Sequence, residues 1–160
     1  MRLPFFGRKP LELLAPGAPA PDFDLADHRG GRVRLADLRG RRVLLWFYPR
    51  ASTSGCTAEG KGFRDRIPAI GDKGVILGMS FDTPAANRAF AEKHGFPFQL
   101  LCDTDKSVSM AYRACRSRRS LFPDRITYLI DAQGRIESAE RVTDIAAHVE
   151  SATARLCALK

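Results

Sequence analysis

At 160 residues and 44% hydrophobic composition, the chain is sized for one domain around one core, which excludes wholesale disorder. The net charge of +8 raises the question of an anionic partner, but the basic residues are dispersed, and the local runs at Arg39, Arg41 and Arg42 and at Arg113, Arg116, Arg118 and Arg119 have no interleaved aromatics. A solvated basic surface with no bound nucleic acid is the expectation, and the alternative is an anion or partner patch around residues 113–119.

The N-terminal residues 1–22 are proline-rich and read as an extended arm ahead of a domain spanning 23–160. The first ten residues are charged and lack an apolar run of signal-peptide length, and no window is long enough to cross a bilayer. No membrane association and a cytoplasmic location are expected. Residues 23–25 and 33–35 predict short strands around the turn Asp27-His28-Arg29-Gly30-Gly31, an N-terminal β-hairpin. Residues 43–47, Val-Leu-Leu-Trp-Phe, predict a strand buried on both faces. After a loop rich in Pro, Ser and Gly, a helix is expected over about 57–70, weakened by Gly60 and Gly62.

Residues 75–80 predict a second buried strand. A helix capped by Thr83 or Asp82, with Pro84 in its first turn, should run to His94 and stop at Gly95. A third strand is expected over 99–102, a short helix from 103–105 to near Tyr112, and a fourth strand over 126–130. A turn at 131–134 leads to a hairpin partner over 135–141, and Asp144 caps a last helix to about Leu159. This order of elements predicts a three-layer α/β/α domain with a mixed central sheet and helices on both of its faces.

The chemistry concentrates at one cysteine. Cys56, Cys102, Cys115 and Cys157 form no CxxC pair and no metal-ligand spacing with His28, His94 or His148, which argues against zinc and against a disulfide scaffold. Cys56 falls where a buried strand has ended and a helix begins. The unpaired N–H groups and positive dipole end of such a helix stabilise a thiolate, the nucleophilic form. Ligands also bind at the carboxyl ends of strands in an open α/β sheet. Pro49 shapes the preceding loop, and Thr53 offers a hydroxyl three residues before the sulfur.

The spacing Pro49-x-x-x-Thr53-x-x-Cys56 resembles the active-site motif of peroxiredoxins. The segments 18–23 (Ala-Pro-Ala-Pro-Asp-Phe), 55–59 (Gly-Cys-Thr-Ala-Glu), 63–65 (Phe-Arg-Asp) and 126–131 (Ile-Thr-Tyr-Leu-Ile-Asp) resemble the bacterioferritin comigratory protein, or peroxiredoxin Q, branch. The resemblance runs from about residue 15 to 150. It implies a thioredoxin-like fold and a thiol-dependent peroxidase acting on hydrogen peroxide and organic hydroperoxides. Cys56 falls at the peroxidatic cysteine, with Pro49 and Thr53 as its motif partners. Arg125 falls at an arginine that reaches the thiolate, and Glu59 at an acid that holds that arginine.

The implied chemistry needs no cofactor: no metal, flavin or nucleotide. The thiolate attacks a peroxide oxygen and becomes a sulfenic acid, which a thioredoxin, a glutaredoxin or a low-molecular-weight thiol then reduces. Many members of the branch place a resolving cysteine five residues after the first, but this chain has Lys61 there. Cys115, Cys102 and Cys157 remain as candidates beside a one-cysteine cycle with an outside thiol. The branch leans toward a monomer or a weak homodimer. Two competing readings are a thiol–disulfide oxidoreductase, disfavoured by the missing CxxC, and a non-catalytic basic module using the 113–119 arginines.

Overall fold

Residues 43–47 are apolar at every position and form β3 (Val43–Phe47), the middle of a five-stranded sheet in which all five residues are buried. The computed structural model describes residues 8–158 of the chain. Before β3, β1 (Asp24–Ala26) and β2 (Arg32–Arg34) pair antiparallel as a separate hairpin, followed by a short 3-10 helix at Leu35–Leu38. Asp27 closes the hairpin turn as Oδ1 accepts from the N–H groups of Arg29 and Gly31, at 2.8 and 2.9 Å.

After β3 come α1 (Ser54–Ile70), β4 (Val75–Ser80), α2 (Pro84–His94), β5 (Gln99–Cys102), α3 (Ser107–Ala111), β6 (Ile126–Ile130), β7 (Ile136–Arg141) and α4 (Ile145–Cys157). The strand order is β5-β4-β3-β6-β7, with β3, β4 and β5 parallel and β6 and β7 antiparallel. The mixed sheet and N-terminal hairpin expected from the sequence are both present. Thr83, rather than Asp82, caps α2 by accepting from the Ala86 N–H, and Asp144 caps α4 by accepting from Ala147. The last helix ends at Cys157, and Leu159 lies outside the described residues.

Helices do lie on both faces, but the two crossover helices share one. From β3 to β4 to β5 the chain steps in a single direction across the sheet, so two right-handed crossovers must land on the same side. Leu44, Trp46 and Tyr48 therefore pack with Phe63 of α1, Phe90 of α2 and Val149 of α4. The opposite face, carrying Val43, Leu45 and Phe47, is covered by Val108 of α3, by Tyr112, by Phe23 and Val33 of the hairpin region, and by Leu13 and Leu14.

Residues 8–22 contain no helix or strand, yet they are bonded to the domain. Gly17 N–H donates to Ile136 O, Ala20 N–H to Gly134 O, and Ile136 N–H to Ala18 O. Tyr112 Oη donates to Pro21 O at 2.6 Å. Basic side chains expected on a solvated surface also bind backbone. Arg113 and Arg116 donate to the carbonyls of Glu12 and Lys9. Arg42 caps the end of α4 through the carbonyls of Arg155, Leu156 and Ala158, while its other donors pair with Glu137. Much of the excess positive charge thus holds chain segments in place.

The two glycines of α1 are required by close packing. A Cβ at Gly60 would collide with the Phe96 ring, and one at Gly62 would lie 2.9 Å from Val149 Cγ1 of α4. Phe96 has little room to retreat, because Phe98 stacks on it at 5.1 Å and Phe90 meets it edge-on at 5.0 Å. Gly60→Ala should gain about 1 kcal/mol of helix propensity and lose about 1–3 kcal/mol to overpacking. A lower urea midpoint than wild type is expected; a higher one would mean that the ring yields freely.

Candidate active site

At the carboxyl end of β3 the chain leaves the sheet through a loop at residues 49–53, in which Ser52 takes a left-handed φ of 66°. The loop is anchored from the neighbouring strand. Asp82 Oδ2, just past β4, accepts from Ala51 N–H at 2.8 Å and from Ser80 Oγ at 2.8 Å. Thr53 is the N-cap residue of α1, which begins at Ser54, three residues earlier than expected. Its side chain does not cap the helix; Oγ1 donates to Arg50 O at 2.7 Å, which leaves the oxygen lone pairs available as acceptors. Pro49 is half-buried behind the same loop.

The earlier helix start places Cys56 in the first turn, where its own N–H is among those without an intrahelical acceptor. Cys56 is fully buried. Glu59 follows it by three residues, so the two side chains share a helix face. Arg125 comes from the other side of β3. Since β6 runs antiparallel to β3 with Ile126 opposite Phe47, the residue before β6 arrives at the edge where β3 ends.

There Arg125 bridges both groups. Nη2 donates to Cys56 Sγ at 3.4 Å and Nη1 to Glu59 Oε1 at 3.0 Å. Its approach depends on Gly55, where a Cβ would lie 2.9 Å from Arg125 Nη2. Burial works against the guanidinium charge, but the Glu59 carboxylate and the Cys56 sulfur outweigh it and hold the Arg125 pKa above its ordinary value. Glu59 is completely enclosed, and Oε2 has no hydrogen-bond partner among the described residues. Burial raises its pKa to about 7 despite the opposing pull of Arg125.

The sequence-selected residues Pro49, Thr53, Cys56, Glu59 and Arg125 therefore converge on one edge of the sheet. The other cysteines are free thiols and do not join them equally. Cys102 ends β5 on the same edge, buried, with Asn87 Nδ2 donating to its sulfur at 3.3 Å. Cys115 follows Ala114, whose carbonyl accepts from the Asp124 N–H beside Arg125. It too is buried, not displayed on a mobile loop. Burial raises both thiol pKa values. Cys157 is half-buried at the opposite end of the sheet, beside Arg42 and Lys73, which flank the starts of β3 and β4.

Asp82 and Asn87 lie outside the motifs, and Gly55, within the 55–59 segment, carried no assigned role. Asp82 had a signal, an acid just past a parallel strand, but it competed with a capping role. Gly55 adjoins Cys56, where a small residue permits close approach of Arg125. Asn87 lies inside α2, and its bonds to Cys102, Ser80 and Tyr48 depend on how that helix sits over the sheet.

The AhpC/TSA family profile matches residues 16–139. The chain belongs to the AhpC/TSA family. Within that family it is similar to the peroxiredoxin Bcp of Escherichia coli K12, at 40% identity over 130 residues covering 78% of this chain and 83% of the relative. Among solved structures it superposes on the peroxidoxin BcpB of Mycobacterium tuberculosis with a TM-score of 0.83 at 30% identity, covering 91% of this chain and 97% of the other. It also superposes on the bacterioferritin comigratory protein of Xanthomonas campestris, whose structures were described with its alkyl peroxide reduction, at TM-score 0.78 and 29% identity over 91% and 95% of the two chains. These AhpC/TSA relatives share the thioredoxin-like fold and place the chain with the Bcp and peroxiredoxin Q branch.

The raised pKa of Glu59 has a testable sign. In the unfolded chain its carboxyl ionises near 4.5, and in the fold near 7. Between those values the folded state holds a proton that the unfolded state has lost, so stability falls as pH rises through that window and levels off above it. Glu59→Gln cannot ionise. Its unfolding free energy, from urea titrations at several pH values between 4.5 and 7, should decline less steeply than that of wild type. Parallel slopes would mean that Glu59 titrates as a solvated carboxylate.

Proposed function

We propose that Cys56 is the peroxidatic nucleophile of a thiol-dependent peroxidase reducing hydrogen peroxide and organic hydroperoxides. The observation that carries this reading is the Arg125 guanidinium 3.4 Å from a cysteine sulfur in the first turn of a helix. A peroxide enters between Pro49 and Arg125. The Cys56 thiolate attacks one peroxide oxygen in line with the O–O bond, that bond breaks, and the departing oxygen takes up a proton and leaves as water or an alcohol. The sulfur becomes a sulfenic acid.

Negative charge passes from sulfur to the leaving oxygen, so fixed donors aimed at both atoms lower the barrier. The helix N–H groups and Arg125 supply these donors. Thr53, whose hydroxyl already donates to Arg50 O, offers lone pairs to a peroxide proton. Pro49 shields one side from water, and Glu59 acts through Arg125 by fixing its orientation. Residues 23–160 form the catalytic domain and residues 1–22 the arm that precedes it, and the protein works in the cytoplasm as a monomer or weak homodimer. No helix of the described residues is long and apolar enough to cross a membrane.

Cys56→Ser should abolish peroxide consumption in a thiol-coupled assay, and near wild-type turnover would refute the assignment. Arg125→Lys keeps the charge but loses the planar fork, and should lower the rate of Cys56 oxidation by about 10²-fold.

Gly55→Ala tests position while leaving both charged groups in the chain. The atom that a new Cβ displaces is the end of the Arg125 side chain, which also holds buried Glu59, so the unfolding midpoint should fall modestly. The guanidinium, however, moves off the sulfur, and oxidation should slow by about 10- to 100-fold. An unchanged oxidation rate would show that the approach of Arg125 to Cys56 does not matter.

A further inference from the structure

Beside the peroxide site, Arg125 also lines a cavity of about 460 Å³. Arg8, Arg116 and Arg141 stand with it in the walls, Asp124 is the one acid among the described lining residues, and Val142 contributes apolar surface. Asp124, half-exposed, pairs with the partly buried Arg141 at 3.1 Å and offsets one of the four charges. Arg116 and Arg141 are further fixed by donating to the arm carbonyls of Lys9 and Leu11, which positions them without neutralising them. A concave wall with this excess of guanidinium charge focuses an attractive field on anions, and its donors fit carboxylate oxygens in bidentate geometry. The volume suits a small molecule.

The reductive half of the cycle calls for such a molecule. Lys61 occupies the position of a nearby resolving cysteine, and Cys157 sits at the far end of the sheet. Cys102 and Cys115 are buried, and Asn87 holds the Cys102 sulfur in place. We propose that the arginine-lined cavity binds the carboxylate end of a small thiol that reduces the Cys56 sulfenic acid directly; this rests on the peroxidase reading above. The bound thiolate attacks the Cys56 sulfur, the S–O bond breaks, and the oxygen takes up protons and leaves as water, giving a mixed disulfide. A second thiolate attacks the small-thiol sulfur of that disulfide and releases the Cys56 thiolate. Two thiols are oxidised to one disulfide as the sulfenic sulfur is reduced.

The test begins with the full chain oxidised by one equivalent of hydrogen peroxide. The decay of its sulfenic acid is then followed by stopped flow with glutathione and with glutathione diethyl ester, whose carboxylates are masked. Glutathione should react about tenfold faster at low salt, with the advantage shrinking as salt rises. In the chain carrying both Arg8→Gln and Arg116→Gln that advantage should vanish. Its oxidation by hydrogen peroxide and its rate with the ester should stay at wild-type values, which also shows the fold to be intact.

Equal rates for acid and ester in wild type would overturn the proposal, as would a variant that slows both thiols alike. A third arm compares a carboxylate-bearing hydroperoxide with its methyl ester. If the two arginines accelerate that oxidation and leave the thiol step untouched, the cavity serves the oxidant and the proposal fails. If no sulfenic acid forms at all in wild type, the peroxidase reading itself has failed.

Discussion

The site depends on one guanidinium held between two buried acceptors. Glu59 and Cys56 are three residues apart on the same turn-to-turn face of α1, both enclosed, and a second anion beside the first would be strongly disfavoured in so apolar a setting. Arg125 makes the pair tolerable by giving one N–H to each. The carboxylate also aims the guanidinium, since a planar fork anchored at one nitrogen leaves the other little freedom. Glu59 is thus a positioning residue whose hold varies with its protonation: an ion pair when ionised, a weaker hydrogen bond when neutral.

The convergence is a property of the topology. Parallel β3 and β4 both end at the edge where α1 begins, so the last strand residues and the first helix turn meet there. An antiparallel β6 beside β3 delivers its entry, rather than its exit, to the same place, which brings Arg125 within reach although it lies 69 residues from Cys56. The loop between β3 and α1 is then fixed by Asp82, which ties Ala51 to the end of β4. Side chains from separate parts of the sequence are set by rigid strand ends, which hold geometry better than loops would.

The central strands were legible because their signal is strong: the mostly apolar runs at 43–47, 75–80, 99–102 and 126–130 form strands with those bounds. The start of α1 was not. Ser54 and Gly55 are poor helix formers, and with no side-chain cap from Thr53 their turn is supported by packing beneath Arg125 and Ile145. The shared face of the two crossovers was also hidden, since it depends on the direction of stepping across the sheet, which no local pattern encodes. At the site, the motif and the resemblance picked out Cys56, Glu59 and Arg125, which the structure brings together. The relation of Cys102, Cys115 and Cys157 to the sulfur could not be read from spacing, because two of them reach the active edge through the sheet and a long loop, and the third lies beyond the opposite end.

A helix carrying Gly55, Gly60, Gly62 and Pro68 has little intrinsic stability and is held by what it packs against. From Phe63 to Ile70 that support is extensive, with Trp46, Val149 and Leu156 in the same cluster. At the first turn it thins: Thr53 and Ser54 are exposed, the cap makes no side-chain hydrogen bond, and Arg125 is the main group pressing on the backbone. The turn bearing Cys56 therefore relies on the buried cysteine and on Arg125 for its hold on the domain. Cys56 is buried in the structure, so on the proposed function a peroxide has to pass its neighbours, and a larger thiol calls for the turn to open. On the proposed function, oxidation to a sulfenic acid removes the charge from the sulfur, and its attraction for Arg125 weakens. The interaction that closes the site over the reduced cysteine thus relaxes at the stage when a reductant needs entry.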